Sequence, residues 1–142
     1  MPGPGTFTSN LLLNGNFSAH GRDWVTLNTV DYSRQYCRVL NGQASQVVNV
    51  TPGATYTLRL WTQVLFQGRG ELFIRPNPPA ADERIALNDF HVWTWRTIIY
   101  TPPAGTIFIT VAIAGTAGEV CVDELELLAD ARISKAGAEQ NR

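Results

Sequence analysis

Trp61 stands between Arg59 and Gln63 at a spacing of two, inside the run TYTLRLWTQVLF over residues 55–66. An indole flanked by a guanidinium and an amide on a wet sheet face suits one kind of chemistry. The ring stacks on the apolar C–H face of a pyranose, while the Arg and Gln side chains bond its hydroxyls. Glu71 and Arg75 share one face of the next alternating run, ELFIRP (71–76), and are read as part of the same surface. Trp95 and Arg96 are weaker candidates for it. The competing reading packs Trp61 under a loop or against the N-terminal arm, or exchanges the two faces. Trp24 and Trp93 are read as core or loop-packing residues.

Catalytic patterns are missing. Glycoside hydrolysis needs two carboxyl groups facing each other across a cleft. Asp82-Glu83 falls in a Pro-rich loop, and Glu124 and Glu126 share one face of a strand. His20 and His91 are single and far apart, and no GxSxG, P-loop or HExxH occurs. The expectation is no enzyme. Cys37 and Cys121 lie outside any CxxC and are too few for a four-thiolate zinc site. They are either two small buried hydrophobes or one disulfide, which would close a loop of about 84 residues.

Strands must position these groups. Tyr56, Leu58, Leu60 and Val64 fall on one face of the 55–66 run, and Thr55, Thr57, Arg59, Trp61 and Gln63 on the other. That period of two predicts a half-buried strand. Thr51-Pro52-Gly53-Ala54 before it reads as a type II turn. Gly68-Arg69-Gly70 reads as a tight connection, and Asn77-Pro78-Pro79-Ala80 as a break. QASQVVNV (43–50), WTWRTIIYT (93–101), IFITVAIAG (107–115) and EVCVDELELL (119–128) supply further strands, the last two joined by a turn at Thr116-Ala117-Gly118. Asp123 shares strand parity with Cys121, Leu125 and Leu127, so its carboxylate is expected to point inward. The prediction is all-β: one antiparallel β-sandwich over residues 10–128, an extended arm at 1–9 and a tail at 129–142.

With 142 residues, the chain suits one domain. Its charged fraction is 16%, below the usual quarter, and its net charge is -1. Such a balance argues against wrapping nucleic acid by phosphate neutralisation. No apolar run is long enough to span a bilayer. The start, MPGPGTFTSN, has neither a basic nor an apolar signal region, so no signal peptide is read.

Four landmarks in order resemble the family 4/9/22-type carbohydrate-binding modules. They are the opening NLLLNGNFSAHGRDW (10–24), the Pro-Gly turn feeding Tyr56-Thr57-Leu58 and Trp61, Trp93 with Tyr100-Thr101-Pro102, and the closing Val120-Cys121-Val122-Asp123-Glu124-Leu125-Glu126-Leu127. The resemblance covers about residues 10–128. It implies a galactose-binding-domain-like jelly-roll, non-catalytic, often with structural calcium. In that family the Asp at position 123 helps hold the metal with groups around an Asn-Gly-x-Phe-Glu turn, here Asn16 and its neighbours. Ser18 stands where the family has glutamate, removing one hard anionic ligand.

Two functions stay open on these residues. The favoured one is a glycan-binding module using Trp61, Arg59, Gln63, Glu71, Arg75 and Trp95. The alternative is a virion subunit, a capsid decoration or tail component, that binds other subunits through its ends. A virion protein needs no signal peptide because lysis releases it, so a virion or an extracellular surface is the expected location. A sparsely charged surface near zero net charge tends to associate. Phe7 in the arm and Ile133 in the tail offer apolar anchors for a homo-oligomer or a host assembly.

Overall fold

The computed structural model describes residues 9–88 and 91–130. The expectations for the arm before Ser9 and for the tail beyond Asp130 lie outside the described residues. Six strands follow one another: β1 (Val25–Asp31), β2 (Cys37–Asn49), β3 (Tyr56–Asn77), β4 (Glu83–Asn88), β5 (Thr94–Tyr100) and β6 (Phe108–Ala129). They form one antiparallel sheet in the order β1-β2-β6-β3-β4, with β5 also paired to β3. No helix among the described residues is long and apolar enough to cross a membrane.

β3 and β6 are twice the expected length. Gly68-Arg69-Gly70 and Thr116-Ala117-Gly118 are not turns between strands; the two ladders run through them with shifts of register. The first half of β3 pairs with β5 and the last half of β6, and its second half pairs with β4 and the first half of β6. Inward rows from both halves, such as Leu58 and Leu60 with Ile74 and Ile113, enter one core and are fully buried. A single sheet can do that only by bending over its own inner face, and this makes the sandwich. Arg96, on the inward row of β5, reaches from there to the Ala86 carbonyl on β4, with Nη1 at 3.3 Å.

The opening run edges β6. The Asn10 side chain accepts the Leu127 and Leu12 amides at 2.9 and 3.1 Å and donates to the Leu125 carbonyl at 3.0 Å. Leu12 and Phe17 then drop into the core, and Trp24 follows, its indole N–H bonded to the Asn14 carbonyl at 3.0 Å. A Cβ on Gly15 would stand 2.1 Å from the Leu125 carbonyl oxygen, so only glycine allows this approach. The 51–54 turn forms as expected: the Ala54 amide bonds the Thr51 carbonyl at 3.2 Å, with Gly53 at φ 81°.

The cysteines are both free and both buried. The disulfide alternative fails for a geometric reason. Cys37 pairs with Val122 on the core face, whereas Cys121 pairs with Arg38 and faces the opposite side of the sheet. Thiols on opposite faces cannot meet. Burial pushes both thiols up, Cys121 to about 11.

Candidate functional site

The outer face of the β5-β3-β6 half carries the aromatic groups. Trp61 on β3 lies opposite Trp95 on β5 and Asp123 on β6. Their parity on β3 is the expected one, with Arg59, Trp61 and Gln63 outward and Leu58, Leu60 and Val64 buried. Trp93, just before β5, lays its ring parallel to that of Trp61, at 6.1 Å and 9°. Trp95 tilts against Trp61 at 5.0 Å, and Tyr36 meets Trp93 edge-on at 5.2 Å. The result is a row of four rings, Tyr36-Trp93-Trp61-Trp95. Trp95 is 43% exposed; the other three are half-buried.

Polar groups hold the row in place. The Arg59 guanidinium sits 4.2 Å from the centre of the Trp95 ring and 3.8 Å from the Glu126 carboxylate. Gln63 donates to the His91 carbonyl at 2.9 Å, tying down the segment that carries Trp93. The reading of Trp61 as packed under a loop is thus partly realised: Trp93 covers it in part, and the two rings act as one unit.

Asp123 does not point inward. β6 carries an extra residue between Asp123 and Glu126, where Arg59 and Trp61 oppose Glu126 and Asp123, and Glu124 takes φ 48°. One inserted residue exchanges the faces. Asp123 therefore stands beside Trp61 on the outer face, half-buried, its Oδ1 accepting the Glu124 amide at 2.8 Å. Burial raises its carboxyl to about 6, and the Glu124 charge adds to the rise.

The calcium expectation loses its donor set in the same way. The Asn16 Oδ1 accepts the Ser18 amide at 3.1 Å. The hollow beside that turn is lined by Asn10, Asn14, Asn16, Glu124 and Glu126, without Asp123. No three His, Cys, Asp or Glu among the described residues gather as a metal group. Asn16, Ser18 and Asp123 do not fit a shared calcium.

Glu71 and Arg75 also leave the site. They lie beyond the bend of β3, on its other half, where Glu71 pairs with Arg84 and Arg75 with Asp82 at 2.9 Å. Arg75 and Arg84 cover the Phe73 ring, and the arginines lower the Asp82 carboxyl. Asp31 and Glu119 are likewise held by Arg38, at 2.7 and 2.8 Å. Each of these carboxylates is thus held in an ion pair with an arginine. Asp82 stays in a loop as read, but Glu83 opens β4.

Sequence reasoning missed Tyr36, Trp93 and Asp123 as members of the face. Trp93 and Trp95 had a signal in their spacing of two. Tyr36 had none, because it arrives from the β1–β2 connection.

No protein-family model matches the chain, and no curated protein does. Solved structures share its fold. A structure described as "CBM4 structure and function" superposes with TM-score 0.64 at 17% identity, covering 82% of this chain and 98% of its own. A second, "TmCBM61 in complex with beta-1,4-galactotriose", gives 0.60 at 18%, covering 84% and 98%. The enzymatically active domain of Bacteriophage CBA120 tailspike protein 4 gives 0.65 at 11%, covering 83% of this chain. This chain spans only 21% of that tailspike chain. The fold is the jelly-roll β-sandwich of carbohydrate-binding modules.

Proposed function

We propose that this domain is a non-catalytic glycan-binding module whose ligand lies along the Tyr36-Trp93-Trp61-Trp95 row. The observation that carries it is the joining of an exposed indole to polar groups held on the same face. Trp95 offers ring surface to solvent, and Arg59, Gln63, Asp123 and Glu126 border the row. Apolar C–H faces of pyranose rings would stack on the indoles while these side chains bond hydroxyls. The names of the neighbours, one of them bound to galactotriose, support a sugar ligand.

The test is calorimetry of the whole chain against a panel of neutral soluble polysaccharides. At least one should bind, with affinity lost in Trp95→Ala. No binding across the panel, or binding indifferent to Trp95, would overturn the reading. The virion-subunit alternative has its support in the tailspike likeness. It depends on residues 1–8 and 131–142, so deleting 1–8 should abolish assembly with a partner particle while leaving the sandwich folded.

A further inference from the structure

At the bend of β3, Phe66, Gln67 and Gly68 oppose the single Gly118, between the pairs Leu65↔Glu119 and Arg69↔Ala117. Phe66 and Gln67 take the left-handed conformation in succession, at φ 57° and 55°. That conformation is unfavourable for any residue with a Cβ. It persists only where the surroundings hold it, and such positions gather at ligand sites. Glycines do the holding here. A Cβ on Gly118 would stand 2.5 Å from the carbonyl oxygens of both Leu65 and Phe66. One on Gly70 would stand 2.3 Å from that of Ala114.

The bulge leaves a hollow of about 670 Å³ lined by Gln67, Gly68, Arg69, Asn88 and Ala117. That volume is within the range of small-ligand sites. A shallower depression continues it past Arg69 and Asn88 towards Thr116 and Glu71.

Charge sets the ligand class. Arg69 is exposed and makes no ion pair among the described residues. The carboxylates beside it along the ladder are already matched, Glu71 by Arg84 and Glu119 by Arg38. Among the described residues, the guanidinium is therefore the unmatched charge of the hollow. Its planar fork fits a carboxylate through two parallel N–H···O bonds. Gln67 and Asn88 flank it with amides, each able to donate and accept, which suits vicinal hydroxyls.

We propose that this hollow is a second saccharide subsite, selective for a sugar that bears a carboxylate, a uronic acid. Arg69 grips the carboxylate, and Gln67 and Asn88 take the hydroxyls. The subsite shares no lining residue with the aromatic row and does not depend on ligand binding there.

The experiment is an NMR titration of the whole chain with an oligogalacturonate, its methyl ester, an alginate oligomer and an acidic peptide. At least one uronate should bind and shift the amides around 66–70, 88 and 116–118. Its affinity should fall at least tenfold in Arg69→Gln, fall less in Arg69→Lys, and weaken as salt is raised. The galacturonate ester should bind no better than the neutral panel. Trp95→Ala should leave uronate binding unchanged, which separates this subsite from the aromatic row. Arg69 is exposed, so both variants should keep the wild-type melting temperature. Equal binding of acid and ester, unchanged binding in Arg69→Gln, preference for the peptide, or no uronate binding at millimolar concentration would each overturn the proposal.

Discussion

Trp61 and Trp95 are neighbours with different duties. Trp95 is 43% exposed, so Trp95→Ala should weaken glycan binding about tenfold, the value of roughly 1–2 kcal/mol of stacking. Its melting temperature should stay near that of the wild type. Trp61 is half-buried between two other indoles, so Trp61→Ala should lower both affinity and stability, the latter by about 1–3 kcal/mol in urea titrations. Asp123 gives a pH signature. Its carboxyl sits at about 6 in the folded chain against an ordinary value of 3.8, so the folded state binds the proton more tightly. Stability from this group is then highest below about pH 4, declines as pH rises through 6, and is level above. Asp123→Asn should remove the decline and raise the melting temperature at pH 7.5. Allowing for its partial exposure, the gain is on the order of 1 kcal/mol.

At the scale of elements, the bends of β3 and β6 depend on backbone that comes too close for side chains. Gly118→Ala should cost at least about 2 kcal/mol, since its new methyl meets two carbonyl oxygens at 2.5 Å and its φ is 57°. Gly53→Ala is the control. It shares a positive φ, 81°, but nothing lies within 4 Å of the added Cβ, so about 1 kcal/mol is expected from the backbone alone. Equal losses in chemical denaturation would show that crowding at the bend contributes nothing. The strand alternation of β3 was legible, as were β5 and the turn before β3. The bend was not, because Gly68-Arg69-Gly70 is equally good as a hairpin or as a bulge until its partner strand is known.

At the scale of the molecule, β3 and β6 run through both halves and share one core. The halves should therefore melt together, in a single transition with coincident fluorescence and circular dichroism. Leu58→Ala, at a fully buried position, should lower that transition by about 2–5 kcal/mol. Reducing agent should not move it, because Cys37 and Cys121 are free thiols on opposite faces of the sheet. Both should resist a thiol reagent until the chain unfolds.

Local pattern determined the all-β class, the inward row Tyr56-Leu58-Leu60-Val64, the outward Arg59-Trp61-Gln63 and the turn at Thr51-Pro52-Gly53-Ala54. Those features depend on the period of two and on turn chemistry, which a few consecutive residues contain in full. Only the tertiary structure decided that Asp123 faces Trp61 and not the core, that Glu71 and Arg75 belong to a separate ion-pair cluster, and that Tyr36 joins the row. Parity counts residues along one strand, and a bulge adds a residue whose presence is settled by the opposing strand. For Asp123 that strand is β3, more than half the domain away in sequence.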